Sequence, residues 1–269
     1  MKRLTPLLFV AVALTLCSIT WAAGYRTKNF VCYHADPEWA EQTAKWAEHY
    51  RAKHAKEWLG MEDMPAWSQP CQITLHVGHG LGNGGSTTFV FDRGEVFGWN
   101  MKIQGDPERV LDSVLAHEVL HTIFATHFRR PLPRWADEGA CATVENHTER
   151  DKYNRQLVQF LQTGRGIAFN RMLQMREYPH DIQPLYAQSH SLADYLIQKG
   201  GRRWYVLFLE RYFATGDWTG SVKEFYGDAS IGDLQTGWLA WVKEGSPRFQ
   251  GMRPVQGELE RVAARKPVK

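Results

Sequence analysis

His117-Glu118-Val119-Leu120-His121 is the stretch of this chain whose residue types and spacing can do chemistry. In a helix, positions i and i+4 share a face with Cβ atoms about 5–6 Å apart, so His117 and His121 can point at one metal ion. Glu118 reaches the same side without occupying the histidine row, which suits a general base acting on a metal-activated water.

The neighbours of the motif predict that it is helical and buried. Val110, Leu111, Val114 and Leu115 precede it, and Val119, Leu120, Ile123 and Phe124 run through it. A helix this apolar packs on more than one side, and ionisable groups buried with it need partners. Asp106 as N-cap, Pro107 at the first helical position and Glu108 behind it predict a helix over about residues 107–127.

A catalytic zinc takes three protein ligands and keeps one position open, so a third ligand must come from elsewhere. His127 stands six residues after His121, at the metzincin spacing H-E-x-x-H-x-x-G-x-x-H. That pattern needs a glycine where this chain has Phe124, because the helix must stop and turn back in a conformation costly for a residue with a Cβ. With Ile123-Phe124-Ala125 the helix continues, and His127 falls about 600° round the axis from His121, off the metal-facing row. There it suits a helix C-terminus. Glu138, in Leu132-Pro133-Arg134-Trp135-Ala136-Asp137-Glu138-Gly139-Ala140, is the stronger candidate. It begins a second helix after a proline-containing loop, and the small residues Gly139, Ala140 and Ala142 permit close backbone approach. Asp137 and Glu138 are also what a first helical turn favours on dipole grounds alone.

His117-Glu118-x-x-His121 followed by Pro133-x-Trp135-x-x-Glu138-Gly139-Ala140 resembles the peptidase MA-like gluzincins. The resemblance covers most of the chain, weakly outside those two segments. It implies zinc on His117, His121 and Glu138, with Glu118 as base and peptide or protein as substrate. It also implies an oxyanion donor from a later helix, for which Tyr186 and His190, four residues apart, are the candidates, Tyr186 ahead. Tyr195 falls on the apolar Leu192–Leu196 face and reads as core. Two alternatives stand beside this reading: a metzincin-like peptidase using His127, and a non-catalytic zinc-stabilised binding domain. The second has no use for an unliganded carboxylate such as Glu118 beside its ligands.

The elements that must position these residues read as α+β: an N-terminal mixed sheet with one helix over 24–105, then a mainly helical part over 106–245, together one peptidase-like domain. Residues 29–34 and 72–77 read as strands and 37–58 as an amphipathic helix. Asp92-Arg93-Gly94 joins strands at 86–91 and 95–103 into a hairpin. Its edge suits β-augmentation by an extended peptide or a plain structural role. Trp39, Trp46, Trp58, Trp204, Trp238 and Trp241 recur at helical spacing and read as packing between helices. His76 and His79 receive no function, and Asn146-His147-Thr148 is a glycosylation sequon by pattern only.

The chain opens with Lys2 and Arg3, an apolar run from Leu4 to Leu16 and small residues to Ala23, the pattern of a secretory signal cleaved after Ala22. The run is too short to span a membrane stably. Cys17 raises a lipoprotein anchor, which the bulky Leu16 before it argues against. Export would place the protein in the periplasm, outside the cell or at its surface, where a Cys32–Cys71 disulfide is plausible and Cys141 is left over. The formal charge of +3 falls to +1 without Lys2 and Arg3, leaving no basic excess for nucleic acid. Residues 246–269 are polar and proline-bearing, a loose tail.

Overall fold

The computed structural model describes residues 23–249; the expected signal segment, Cys17 and most of the polar tail lie outside them. The fold is α+β, a mixed five-stranded sheet followed by a mainly helical part. In chain order the elements are β1 (Ala23–Arg26), β2 (Phe30–His34), α1 (Pro37–His54), β3 (Cys71–Val77), β4 (Gly84–Asp92) and β5 (Glu95–Gly105). Then come α2 (Ala116–Phe128), α3 (Arg134–Ala142), α4 (His147–Gln162), α5 (Phe169–Met172), α6 (Gln183–Gly200), α7 (Arg202–Thr215), α8 (Trp218–Tyr226) and α9 (Ile231–Lys243).

The sheet runs β1-β2-β3-β5-β4. β3 pairs in parallel with β2 and β5, and the outer strands β1 and β4 are antiparallel to their neighbours. β1 extends the sheet beyond the strands expected from the sequence. The β4–β5 turn puts Arg93 at φ 49° and Gly94 at φ 80°, the two positive values that a twist-matched two-residue hairpin requires. A register shift between Thr88 and Val90 interrupts the pairing of β4, and Phe89 at the shift lies edge-on to Phe91 and tilted against Trp99.

The helix expected over 107–127 forms with a different start. Residues Val110–Leu115 make a π-helical turn that runs into α2. Asp106 does not cap it through its side chain; its Oδ1 accepts from the Gly80 amide at 2.9 Å, tying down the preceding loop. α2 continues through Phe124, as its lack of glycine predicts, and stops only at Arg129, φ 52°. Its apolar surface is divided between two cores. Val119 and Ala125 join the sheet and α1, while Leu120, Ile123 and Phe124 join the helical part. That double burial explains an apolar helix on which the polar motif occupies one row.

Two expectations are corrected. Cys32 and Cys71 are free, buried thiols, as is Cys141. Cys71 lies opposite Phe30 and Cys32 opposite Ile73, so the pair is offset by two residues on neighbouring strands. Strands about 4.8 Å apart with about 3.3 Å rise per residue place such a pair about 8 Å apart, beyond the Cα span a disulfide bridges. Burial pushes each of these two thiols up to about 12. Trp46 is 44% exposed and lies edge-on to His49 rather than between helices, whereas Trp58, Trp204, Trp238 and Trp241 are buried as expected. Tyr195 is core. Asn146 caps α4, accepting from Thr148 N at 3.0 Å and donating to Asp112 at 2.7 Å. Among the described residues no helix is long and apolar enough to cross a membrane.

Candidate active site

α2 and α3 are joined by a short loop closed by Pro133, so α3 folds back across the face of α2 that carries His117 and His121. Gly139 makes the other side of α3 equally close to α6: a Cβ there would stand 2.3 Å from the Ser189 carbonyl oxygen. The approach expected of the small residues around Glu138 is thus made. α3 is wedged between the two helices, and Glu138 is carried to the histidines.

His117 Nε2 lies 3.5 Å and His121 Nε2 3.9 Å from one atom, Glu138 Oε2. The opposite ring nitrogens are engaged: His117 Nδ1 pairs with Glu145 Oε1 at 2.6 Å and His121 Nδ1 with Asp137 Oδ1 at 2.8 Å. A carboxylate accepts, so each Nδ1 carries the proton when the ring is neutral and each Nε2 keeps a free lone pair. Three donors about 2.1 Å from a tetrahedral zinc stand about 3.4 Å apart, close to the two distances from Glu138 Oε2 to the Nε2 atoms. A carboxylate behind each ligating imidazole is also the usual outer support of a zinc site. The two Nε2–Oε2 distances and the carboxylate behind each ring are what a zinc site with these donors calls for.

The electrostatics point the same way. Burial alone would depress both histidines, yet hydrogen bonds to Glu138 and Glu145 hold His117 well above its ordinary value. The charge and hydrogen bond of Asp137, with Glu138, raise His121. Against the effect of its own burial, Glu138 is held low by its hydrogen bond to His117 and by the charges of both histidines. This is a carboxylate-rich cage that favours positive charge at its centre.

Cys141 competes as a third donor, since its sulfur and the histidines lie within 4.8 Å of one another. Its Sγ is 3.4 Å from His121 Nδ1, the nitrogen already bound to Asp137. It thus approaches the ring nitrogen of His121 that Asp137 already holds, whereas Glu138 approaches Nε2 of both rings. Burial, reinforced by the surrounding carboxylates, raises its thiol well above its ordinary value. Glu138 is the better-placed donor. His127 is elsewhere: its Nε2 pairs with Glu210 of α7 at 2.8 Å.

Glu118, 4% exposed, lines a cleft of about 590 Å³ with both histidines and Glu138. β4 covers it. Thr87 Oγ1 donates to Glu118 Oε2 at 2.6 Å, and Gly85 packs so tightly that a Cβ would meet Glu118 Oε1 at 2.6 Å. Tyr186 lines the same cleft, its phenol pushed up to about 12 by burial and then by Glu138. His190 does not line it. It is 2% exposed behind the Tyr153 ring, and burial drives it down to about 3.

Sequence reasoning missed Tyr178. This residue sits on the connection before α6, and its hydroxyl donates to Glu138 Oε1. Its ring lies 6.3 Å from that of Tyr186, at 15°. Nothing in the periodicity of that connection marks it. Glu145 was also missed; it follows Glu138 by seven residues, in the turn between α3 and α4. Asp137 was seen only as a dipole-favoured residue.

No protein-family model matches the chain, and no curated protein matches it either.

Proposed function

We propose that the chain is an exported zinc-dependent peptidase, with His117, His121 and Glu138 as metal ligands and Glu118 as general base. The observation that carries this reading is the convergence of the two Nε2 atoms on Glu138 Oε2, with a second buried carboxylate, Glu118, beside them and bound to neither histidine. When bound, zinc supplies Lewis acidity toward the scissile carbonyl and the attacking water.

The chain's own residues supply the rest. Thr87 occupies Glu118 Oε2, so Oε1 is the oxygen left to take the water's proton and return it to the leaving amine. Glu145 and Asp137 hold the two imidazoles in the tautomer that presents Nε2. Tyr186 keeps its proton at neutral pH and lines the cleft, which equips it to donate to the developing oxyanion. Buried walls around Glu118 and Glu138 limit competing solvent. Export rests on the basic and apolar residues of the first 23 positions.

Glu118→Gln tests the reading. The variant keeps about one zinc per chain and loses hydrolysis of a general peptide library. Wild-type turnover by that variant refutes the mechanism.

A further inference from the structure

Resting on the peptidase reading, we infer that Arg134 recognises a carboxylate of the substrate close to the bond that is cut. Arg134 opens α3 four residues before Glu138, so the two share a helix face, and both line the cleft. The guanidinium is already fixed. Its Cζ lies 4.3 Å from the centre of the Tyr178 ring, Nη1 is 3.3 Å from the Tyr178 hydroxyl, and Nε donates to the Arg176 carbonyl at 3.3 Å. That same hydroxyl touches Glu138 Oε1, so the guanidinium stands two hydrogen bonds from a proposed ligand.

What Arg134 lacks, among the described residues, is a carboxylate. Every acid lining the cleft has another partner: Glu118 has Thr87, Asp137 has His121, Glu138 has Tyr178, Glu145 has His117, and Glu149 has Asn83. The other cation of the lining, Lys152, is 3.7 Å from Glu149. The guanidinium is therefore not spent on offsetting the buried acids. Nη2 and the remaining N–H of Nη1 form a fork suited to bidentate carboxylate binding. Stacking on Tyr178 orders that fork before a ligand arrives, which lowers the entropic cost of binding. A substrate carboxylate comes from an acidic side chain or from the C-terminus, and the chemistry at Arg134 is the same for both.

The test is calorimetric binding to the zinc-loaded, full-length Glu118→Gln protein, which does not depend on turnover. The probes are an uncharged, end-blocked hexapeptide, the same peptide with glutamate placed at each position in turn, and the same peptide with a free C-terminal carboxylate. At least one anionic peptide is expected to bind about tenfold more tightly than the uncharged one, and which one does so identifies the source. Adding Arg134→Gln is expected to reduce that advantage to less than twofold. Arg134→Lys, which keeps the charge and loses the fork, is expected to retain part of it. Equal affinities for all peptides, or an advantage that survives Arg134→Gln, overturn the inference. If wild type cleaves none of the peptides while the anionic advantage stands, the peptidase reading fails and the carboxylate site does not. Cleavage with uniform affinities gives the reverse.

Discussion

Gly85→Ala is the sharpest perturbation of Glu118, the proposed general base, that leaves every proposed ligand untouched. The added Cβ would lie 2.6 Å from Glu118 Oε1, 2.7 Å from its Cγ and 2.9 Å from its Cδ, where ordinary contact begins at 3.4 Å. Something must move by about 0.8 Å. β4 is hydrogen-bonded along β5, and Glu118 is buried with Oε2 held by Thr87. The side chain gives way by swinging off Thr87, which breaks a charge-assisted hydrogen bond worth about 1.5–3 kcal/mol. A displacement near 1 Å at a reacting group costs about 100-fold in rate. The expected outcome is therefore a kcat about 100-fold lower on a fluorogenic peptide, with zinc per chain unchanged by elemental analysis. Thr87→Val, which removes the hydroxyl without adding bulk near Oε1, is expected to be milder, about tenfold. Gly85→Ala turning over within twofold of wild type refutes the idea that β4 holds the base. Loss of zinc in step with activity would show instead that Gly85 acts through the ligands.

Two further perturbations probe the scaffold. Gly139→Ala puts a Cβ 2.3 Å from the Ser189 oxygen and 2.7 Å from its carbonyl carbon, forcing α3 off α6. Overpacking on that scale costs about 3 kcal/mol, or about 6–12 °C in melting temperature for a domain of this size; an unchanged melting curve contradicts the wedge described for α3. His54, 1% exposed, donates from Nε2 to the Ala116 carbonyl at 3.1 Å and leaves Nδ1 without a partner among the described residues. Its ring stacks on Tyr50, and Arg202, Lys53 and His49 are the nearby cationic or titratable groups. Burial first, then those charges, hold it down to about 3 against an ordinary 6.5. The unfolded chain takes up this proton first, so the stability is complete above pH 6.5 and is lost as pH falls from there toward 3. Between pH 7 and 5 wild type is expected to lose about 2 kcal/mol more than His54→Gln in urea titrations, and parallel losses refute the assignment.

Local rules carried much of the fold. The hairpin was legible because Asp92-Arg93-Gly94 supplies positive φ where the strand twist demands it, and α2 because apolar residues surround a single polar row. The position of Glu138 beside the two histidines was legible because a proline-closed turn returns a second helix onto the first. The rest depends on contacts between distant segments. Tyr178 reaches Glu138 across 40 residues and Thr87 reaches Glu118 across 31, and neither position breaks its local pattern. Asp137 looked like a helix-start residue because the dipole explains it fully; only the position of His121 reveals its second role. The disulfide expectation failed for want of strand register. Cysteine spacing cannot reveal a two-residue offset, and that offset decides whether two thiols can meet.

The central claim is the ligand set, and zinc per chain measured on four purified proteins tests it most directly. Wild type, His127→Ala and Cys141→Ser are expected to hold about one zinc each after dialysis, and Glu138→Ala to lose most of it. Retention of zinc by Glu138→Ala, with loss from either His127→Ala or Cys141→Ser, would contradict the account.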